Sequence, residues 1–219
     1  MNRIDLGRVF CVGVRGVSPD DPLLRQDLAA CAAAGVGGVI LFDIDVPAWN
    51  ERVSRGDDHR AAAAACPRNI ESPEQLRRLT TFIKSQLGEH TMICVDQEGG
   101  PTSRLGASHS FDPGPDAHHF AAMDIERRRA EANRQAAQLA AAGIGVNLAP
   151  CVDLSIEPGS SIIAGQGRSF GAVPEIVVEN ARIVLEAHAA HGVGACLKHF
   201  PGHGSVTGDS HHGAVDITK

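Results

Sequence analysis

The sequence has no C-x-x-C pair, no long apolar run near its start, no basic stripe and no H-E-x-x-H. Each absence removes a class of function. The six cysteines, at 11, 31, 66, 94, 151 and 196, never stand at the spacing of a zinc ribbon or a redox motif. Four of them lie in strand-like apolar runs ("VFCVGV", "MICVD", "APCVD" and "GACLK"), which suits buried free thiols better than disulfides or ligands. Without H-E-x-x-H or a cysteine pair, no metal and no cofactor is expected. The opening stretch "MNRIDLGRVF" is too polar for a signal peptide or a membrane anchor, so no membrane association is expected and a cytoplasmic, reducing setting is. The net charge is −6. The densest positive run, "RRR" at 127–129, sits among Glu126, Glu131 and alanines, where a solvated helix face is expected. Nothing here could neutralise a phosphate backbone, so nucleic acid is not an expected partner.

What is present is an ordinary globular composition over 219 residues, 43% hydrophobic and 21% charged, long enough to bury a core. Short β-branched runs alternate with helical segments. Strands are expected near 8–14, 37–42, 91–96, 145–149 and 193–199, and helices near 20–34, 73–88, 124–142 and 174–191. Pro73 after Ser72, and Pro174, mark helix starts; Gly35, Gly143 and Gly192 mark helix ends. The strands are apolar without polar alternation, as in a parallel sheet covered on both faces. No G-x-G-x-x-G opens a helix after the first strand, which weakens a dinucleotide-binding sheet. Polar, glycine-rich segments instead follow the strands: "DQEGG", "APCVDL" and "KHFPGHG". A (β/α)₈ barrel builds its site at that rim, and the expected class is α/β with this architecture. Five strands and four helices make an incomplete barrel, about its first five βα units, with edges left open.

Residues 43–70 fit the alternation poorly. Five consecutive alanines suit a helical turn, whereas Gly56, Asp57 and Asp58 interrupt it. Such a length is read as a functional or mobile loop, or as a disordered insertion.

Three segments carry chemistry. In "VDQEGG", Asp96, Gln97 and Glu98 end a strand, and Gly99 and Gly100 permit a tight turn. In "GVNLAPCVDL" and "GRSFG", Asn147, Asp153 and Arg168 are polar groups in apolar or glycine-rich surroundings; Arg168 offers a planar fork of donors. The third is "KHFPGHGSVTGDSHHG", residues 198–213. Asp209 and His211 stand two apart, so in an extended segment the carboxylate can orient the ring of a proton-transferring histidine. The same segment also offers metal ligands in His199, His203, Asp209, His211 and His212. Its glycines allow a loop that closes and opens.

Taken in order, "ILF", "RNIESPEQL", "VDQEGG", "NLAPCVDL", "GRSFG" and "KHFPGHGSVTGDSHHG" resemble glycoside hydrolase family 3, and most closely its bacterial β-N-acetylglucosaminidase branch. The resemblance covers nearly the whole chain. It implies that residues 1–219 are the N-terminal part of one catalytic barrel domain with an insertion at about 43–69. It implies retaining hydrolysis of terminal β-linked N-acetylglucosamine, with muropeptides among the small carbohydrate substrates. His211 would be the acid/base and Asp209 its orienting partner, while Asp96, Arg104, Arg168, Lys198 and His199 would contact the sugar. A histidine departs from the usual carboxylic acid pair. Some family members pass the sugar to phosphate, and that alternative stays open. Pro101 stands where the family usually has arginine. The family's nucleophile, an aspartate in an "SDD"-like motif on a later strand, has no counterpart after residue 213, where "AVDITK" follows. The 219-residue chain is therefore expected to be inactive or nearly so. A decayed sugar-binding protein and a metal-dependent barrel hydrolase are the alternatives.

Overall fold

The structure, a computed structural model, describes residues 6–156, 162–205 and 213. Strands and helices follow in the order β1 (Cys11–Gly13), α1 (Pro22–Ala34), β2 (Gly38–Ile40), α2 (Val46–Ser54), α3 (His59–Ala64), α4 (Pro73–Leu87), β3 (Met92–Val95), β4 (Gln97–Gly99), β5 (Thr102–Ser103), α5 (Ala117–Ala121), α6 (Ile125–Ala141), β6 (Val146–Asn147), α7 (Pro174–Ala190) and β7 (Gly194–Ala195). All five expected strands and all four expected helices occur, and the class is α/β with a parallel sheet. The strands are shorter than their apolar runs, because burial extends past the hydrogen-bonded ladder. The run at 193–199 keeps only Gly194–Ala195, and further along, Cys151 and Lys198 make an isolated parallel bridge.

Two compact units make up the chain. The first comprises Met1–Val95, Arg104–Asp112 and Ala141–Val146. Here β1 pairs with β2 and β2 with β3, all parallel, with Val12 beside Val39 and Val39 beside Ile93. Val39, Leu41, Ile93 and Val95 are fully buried, as are Leu76, Leu79 and Ile83 on one face of α4. That helix begins where its sequence says it should. Ser72 accepts from the Gln75 N–H, Gln75 reaches back, and Pro73 occupies the first turn. Asn69, fully buried, accepts from the Phe42 N–H and donates to the carbonyls of Val14 and Gly16. One carboxamide thus ties together the segments that leave β1 and β2.

Residues 43–70 are neither loop nor disordered insertion but two short helices. Asp45 caps α2 and Asp58 caps α3, each through its carboxylate. Trp49 Nε1–H donates to the His59 carbonyl at 3.1 Å and joins the pair. Asp58, which looks like a helix breaker beside Gly56, is therefore a helix start.

The second unit comprises Asp96–Ser103, Pro113–Ala140 and Asn147–Lys219. Its core gathers Ala117 and Phe120 of α5, Ala132 and Ala136 of α6, Phe170, and Val177, Ile183 and Ala187 of α7. The antiparallel pair β4–β5 turns on Gly99 and Gly100, at φ of 98° and 56°. Only glycine fits at 99, since a Cβ there would stand 2.0 Å from the Pro115 carbonyl oxygen. Within the expected solvated run, Arg128 is an exception. It packs against α7, bonded to Glu179 and Asn180, each at 2.9 Å.

Two of the four thiols expected to be buried are exposed. Cys94 and Cys151 lie inside, while Cys11 and Cys196 face out. Cys11 lies in β1 and Cys196 just after β7. An apolar run does not say which of its side chains a neighbouring element covers.

Candidate active site

Asp96 and Glu98 straddle Gln97 in an extended run, so their side chains share one side while Gln97 points to the other. Gln97 is buried there and locked. Its N–H donates to Asn147 Oδ1 at 3.0 Å, and Asn147 Nδ2 donates back to its carbonyl at 2.9 Å. Asn147 is backed by His188, whose Nδ1 meets the Val184 carbonyl at 2.8 Å and whose Nε2 lies 3.0 Å from Asn147 Nδ2. A carbonyl only accepts, so Nδ1 carries the proton and Nε2 the lone pair. Burial holds the His188 pKa below its ordinary value, consistent with this neutral ring.

The two carboxylates so positioned meet two cations. Lys198 Nζ lies 2.7 Å from Asp96 Oδ1 and 2.7 Å from Glu98 Oε1. Arg168 clasps Glu98 with Nε and Nη2, both at 2.8 Å, in a bidentate fork. Its Nη1 donates to the Ile162 carbonyl, so all three guanidinium nitrogens have partners. The Glu98 and Arg168 side chains are 3% and 9% exposed. Burial pushes the Glu98 pKa up, but the bonds from Arg168 and the charge of Lys198 more than offset it and hold it below the usual carboxylate range. Arg168 is raised in turn: burial opposes its charge, and Glu98 outweighs the opposition.

Arg168 Nη2 also lies 3.1 Å from His199 Nε2. A guanidinium only donates, so Nε2 accepts and Nδ1 carries the ring proton toward Asp153 Oδ2, 2.6 Å away. Asp153 collects three more donors: the His199 N–H, the His203 N–H at 2.6 Å and the Cys151 thiol at 3.3 Å. Burial works against its charge, yet His199 and the His203 N–H prevail and bring its pKa down to about 2. The neighbouring Cys151 thiol is pushed up to about 12 by burial. It is a protonated donor, not a nucleophile.

Four sequence-expected residues therefore converge: Asp96, Arg168, Lys198 and His199. Arg104 belongs to the first unit, where it faces Asp43 at 3.5 Å and lies over the Phe42 ring, 5.9 Å from its centroid. Asp209 and His211 lie outside the described residues. Two further residues were not among the expected sugar contacts: Glu98, the hub of both cations, and Asp153, which orients His199. The signal for Asp153 was its place two residues after Cys151 in a buried strand end; for Glu98 it was the alternation that puts it beside Asp96. The arrangement presents a cluster of fixed donors and acceptors, suited to a neutral ligand rich in hydroxyl groups.

Comparisons with known proteins place the chain in a family. Residues 25–219 match the model of the glycosyl hydrolase family 3 N terminal domain. A beta-hexosaminidase of Xanthomonas campestris pv. campestris (strain B100) is 35% identical over 159 residues, covering 70% of this chain and 47% of that protein. Among solved structures, a family 3 beta-N-acetylglucosaminidase from Paenibacillus sp. str. FPU-7 superposes with a TM-score of 0.76 at 27% identity, over 96% of this chain and 35% of that one. NagZ from Neisseria gonorrhoeae, in complex with N-trifluoroacetyl-D-glucosamine, gives a TM-score of 0.68 at 27% identity, over 94% of this chain and 53% of that one. The chain thus spans less than half the length of that curated relative. It belongs to glycosyl hydrolase family 3, whose N-terminal domain its residues 25–219 represent.

Proposed function

We propose that this chain supplies the sugar-holding part of a glycosidase that releases terminal β-linked N-acetylglucosamine, with retention, from small peptidoglycan fragments. The observation that carries the reading is the partly buried network joining Lys198 to Asp96 and Glu98, Glu98 to Arg168, and Arg168 through His199 to Asp153. Asp96, Lys198 and His199 would contact the sugar hydroxyls, with Arg168 as a further contact. Glu98 and Asp153 would hold the cations and the imidazole in register. The ligand named for the gonococcal relative, an N-acylated glucosamine, supports the substrate class.

His211 would be the acid/base, oriented by Asp209. A protonated imidazole can protonate the leaving oxygen and then, as the neutral ring, deprotonate the incoming water. The covalent step needs a carboxylate nucleophile, and no "SDD"-like motif follows residue 213. The 219-residue chain alone would then bind the sugar and turn over little. A cytoplasmic setting belongs to the same reading; six free thiols support a reducing compartment.

Two measurements test it. The 219-residue chain should bind N-acetylglucosamine by calorimetry, and Lys198→Met should weaken binding at least about ten-fold, the loss expected of charged hydrogen bonds. In a polypeptide that joins this chain to a C-terminal part carrying the carboxylate nucleophile, p-nitrophenyl N-acetylglucosaminide should be cleaved and His211→Ala should abolish most of the rate. Full activity after His211→Ala would end the acid/base assignment, and no sugar binding by the chain would end the reading of the network.

A further inference from the structure

Cys151, Asp153 and His199 bring a thiol, a carboxylate and an imidazole nitrogen within 4.8 Å of one another. We infer that they form a binding site for a thiophilic divalent cation of the Zn²⁺ and Co²⁺ class, which shares His199 with the proposed sugar contacts but does not use Asp96 or Lys198.

The placement follows from the backbone. Cys151 and Asp153 are two apart in an extended segment, so both side chains leave on one side. The parallel bridge from Cys151 to Lys198, reinforced by the Val152 N–H donating to the Lys198 carbonyl at 2.8 Å, sets His199 opposite them. Sulfur, imidazole and carboxylate together are the donors that zinc takes in three-ligand sites with one open position. The separations are also close to those of such a site. Sγ lies 3.3 Å from Asp153 Oδ2 and 4.0 Å from His199 Nδ1, while Nδ1 and Oδ2 are 2.6 Å apart. Zinc–ligand lengths of about 2.0–2.3 Å at tetrahedral angles set these edges at roughly 3.4–3.6 Å. Each edge changes by less than about 1 Å, within reach of side-chain torsions. The Cys151 and Asp153 residues are 2% and 6% exposed, whereas the His199 side chain is one-third open to solvent, which gives the ion an entry.

The proton balance sets the consequence. The cation replaces the thiol proton of Cys151, which leaves to solvent, and takes the Nδ1 lone pair of His199, whose ring proton moves to Nε2. With a carboxylate and a thiolate around a divalent ion, the site is neutral. Nε2–H then faces Arg168 Nη2, donor against donor, so the ion and the Arg168–His199 hydrogen bond exclude each other. Occupancy therefore loosens the network that holds Glu98.

The test uses Co²⁺ and Zn²⁺ alone, on the 219-residue chain carrying Cys11→Ser and Cys196→Ser to remove its exposed thiols. One equivalent of Co²⁺ should give a sulfur-to-cobalt charge-transfer band in the near ultraviolet, bleached by one equivalent of Zn²⁺. Cys151→Ser should erase the band, and His199→Gln should weaken binding by more than the roughly 10–100-fold typical of losing an outer-shell partner. X-ray absorption of the zinc-loaded parent should count one sulfur, which decides the matter even if a variant fails to fold. No band, a band that survives Cys151→Ser, or a zinc shell without sulfur would each overturn the inference.

Discussion

Replacing Glu98 with glutamine changes one atom of the network and should cost much of its stability. Glu98 accepts three charged hydrogen bonds: two from Arg168 at 2.8 Å and one from Lys198 at 2.7 Å. Glutamine keeps one acceptor oxygen. Placed where Oε1 stands, that oxygen can serve Arg168 Nη2 and Lys198, but its amide then meets the Arg168 Nε–H, donor against donor. Lys198 retains Asp96, whereas Arg168, at 9% side-chain exposure, loses its counter-charge. Breaking a buried pair from one side costs about 3–5 kcal/mol. Losing one charged hydrogen bond while keeping a dipole places this variant near the lower end, about 3 kcal/mol. For a chain of this size that is roughly 6–12 °C in Tm. Far-UV circular dichroism is the suitable probe, because the single tryptophan, Trp49, belongs to the first unit and reports that unit alone. Arg168→Met and the double variant complete a cycle whose coupling should reach about 1–3 kcal/mol. A loss below about 1 kcal/mol, the level of an exposed pair, or strictly additive losses would refute a desolvated pair.

Three other outcomes are expected. Asn147→Ala removes both bonds to the Gln97 backbone, so the Gln97 amide should lose protection in hydrogen exchange and the second unit should lose about 2–3 kcal/mol; unchanged protection would show that β4 needs no clamp. The Asp153 pKa is lowered from 3.8 to about 2, so its contribution is complete above pH 4 and disappears as pH falls from about 4 to 2. It should be on the order of 2 kcal/mol, and Asp153→Asn should flatten urea-measured stability in that window; an unchanged slope would count against the assigned partners. Gly99 and Gly56 share φ near 98–99°, but a Cβ at 99 meets the Pro115 carbonyl and one at 56 meets nothing within 4 Å. Gly56→Ala should therefore cost about 1 kcal/mol and Gly99→Ala clearly more, by urea unfolding; equal losses would leave backbone strain as the whole effect.

Local chemistry was legible without a structure. Ser72-Pro73 opens α4, Gly35 ends α1 in the left-handed region, and the apolar runs mark each strand, because caps and periodicity act over a few residues. Residues 43–70 were not legible, since Asp58 is breaker or cap depending on whether the alanines after it pair with Trp49's helix. Exposure of Cys11 and Cys196 was hidden for a related reason: an apolar run does not say which of its side chains a neighbouring element covers.

At the site, the sequence by itself determined which groups end the strands and the order of the motifs that mark the family. Only the tertiary structure decided their partners. Lys198 reaches Asp96 across 102 residues, Arg168 reaches Glu98 across 70, and His199 reaches Asp153 across 46. Motifs name the charges along the chain. Which charge neutralises which depends on a distance of under 3 Å in space, and spacing along the chain carries no information about that.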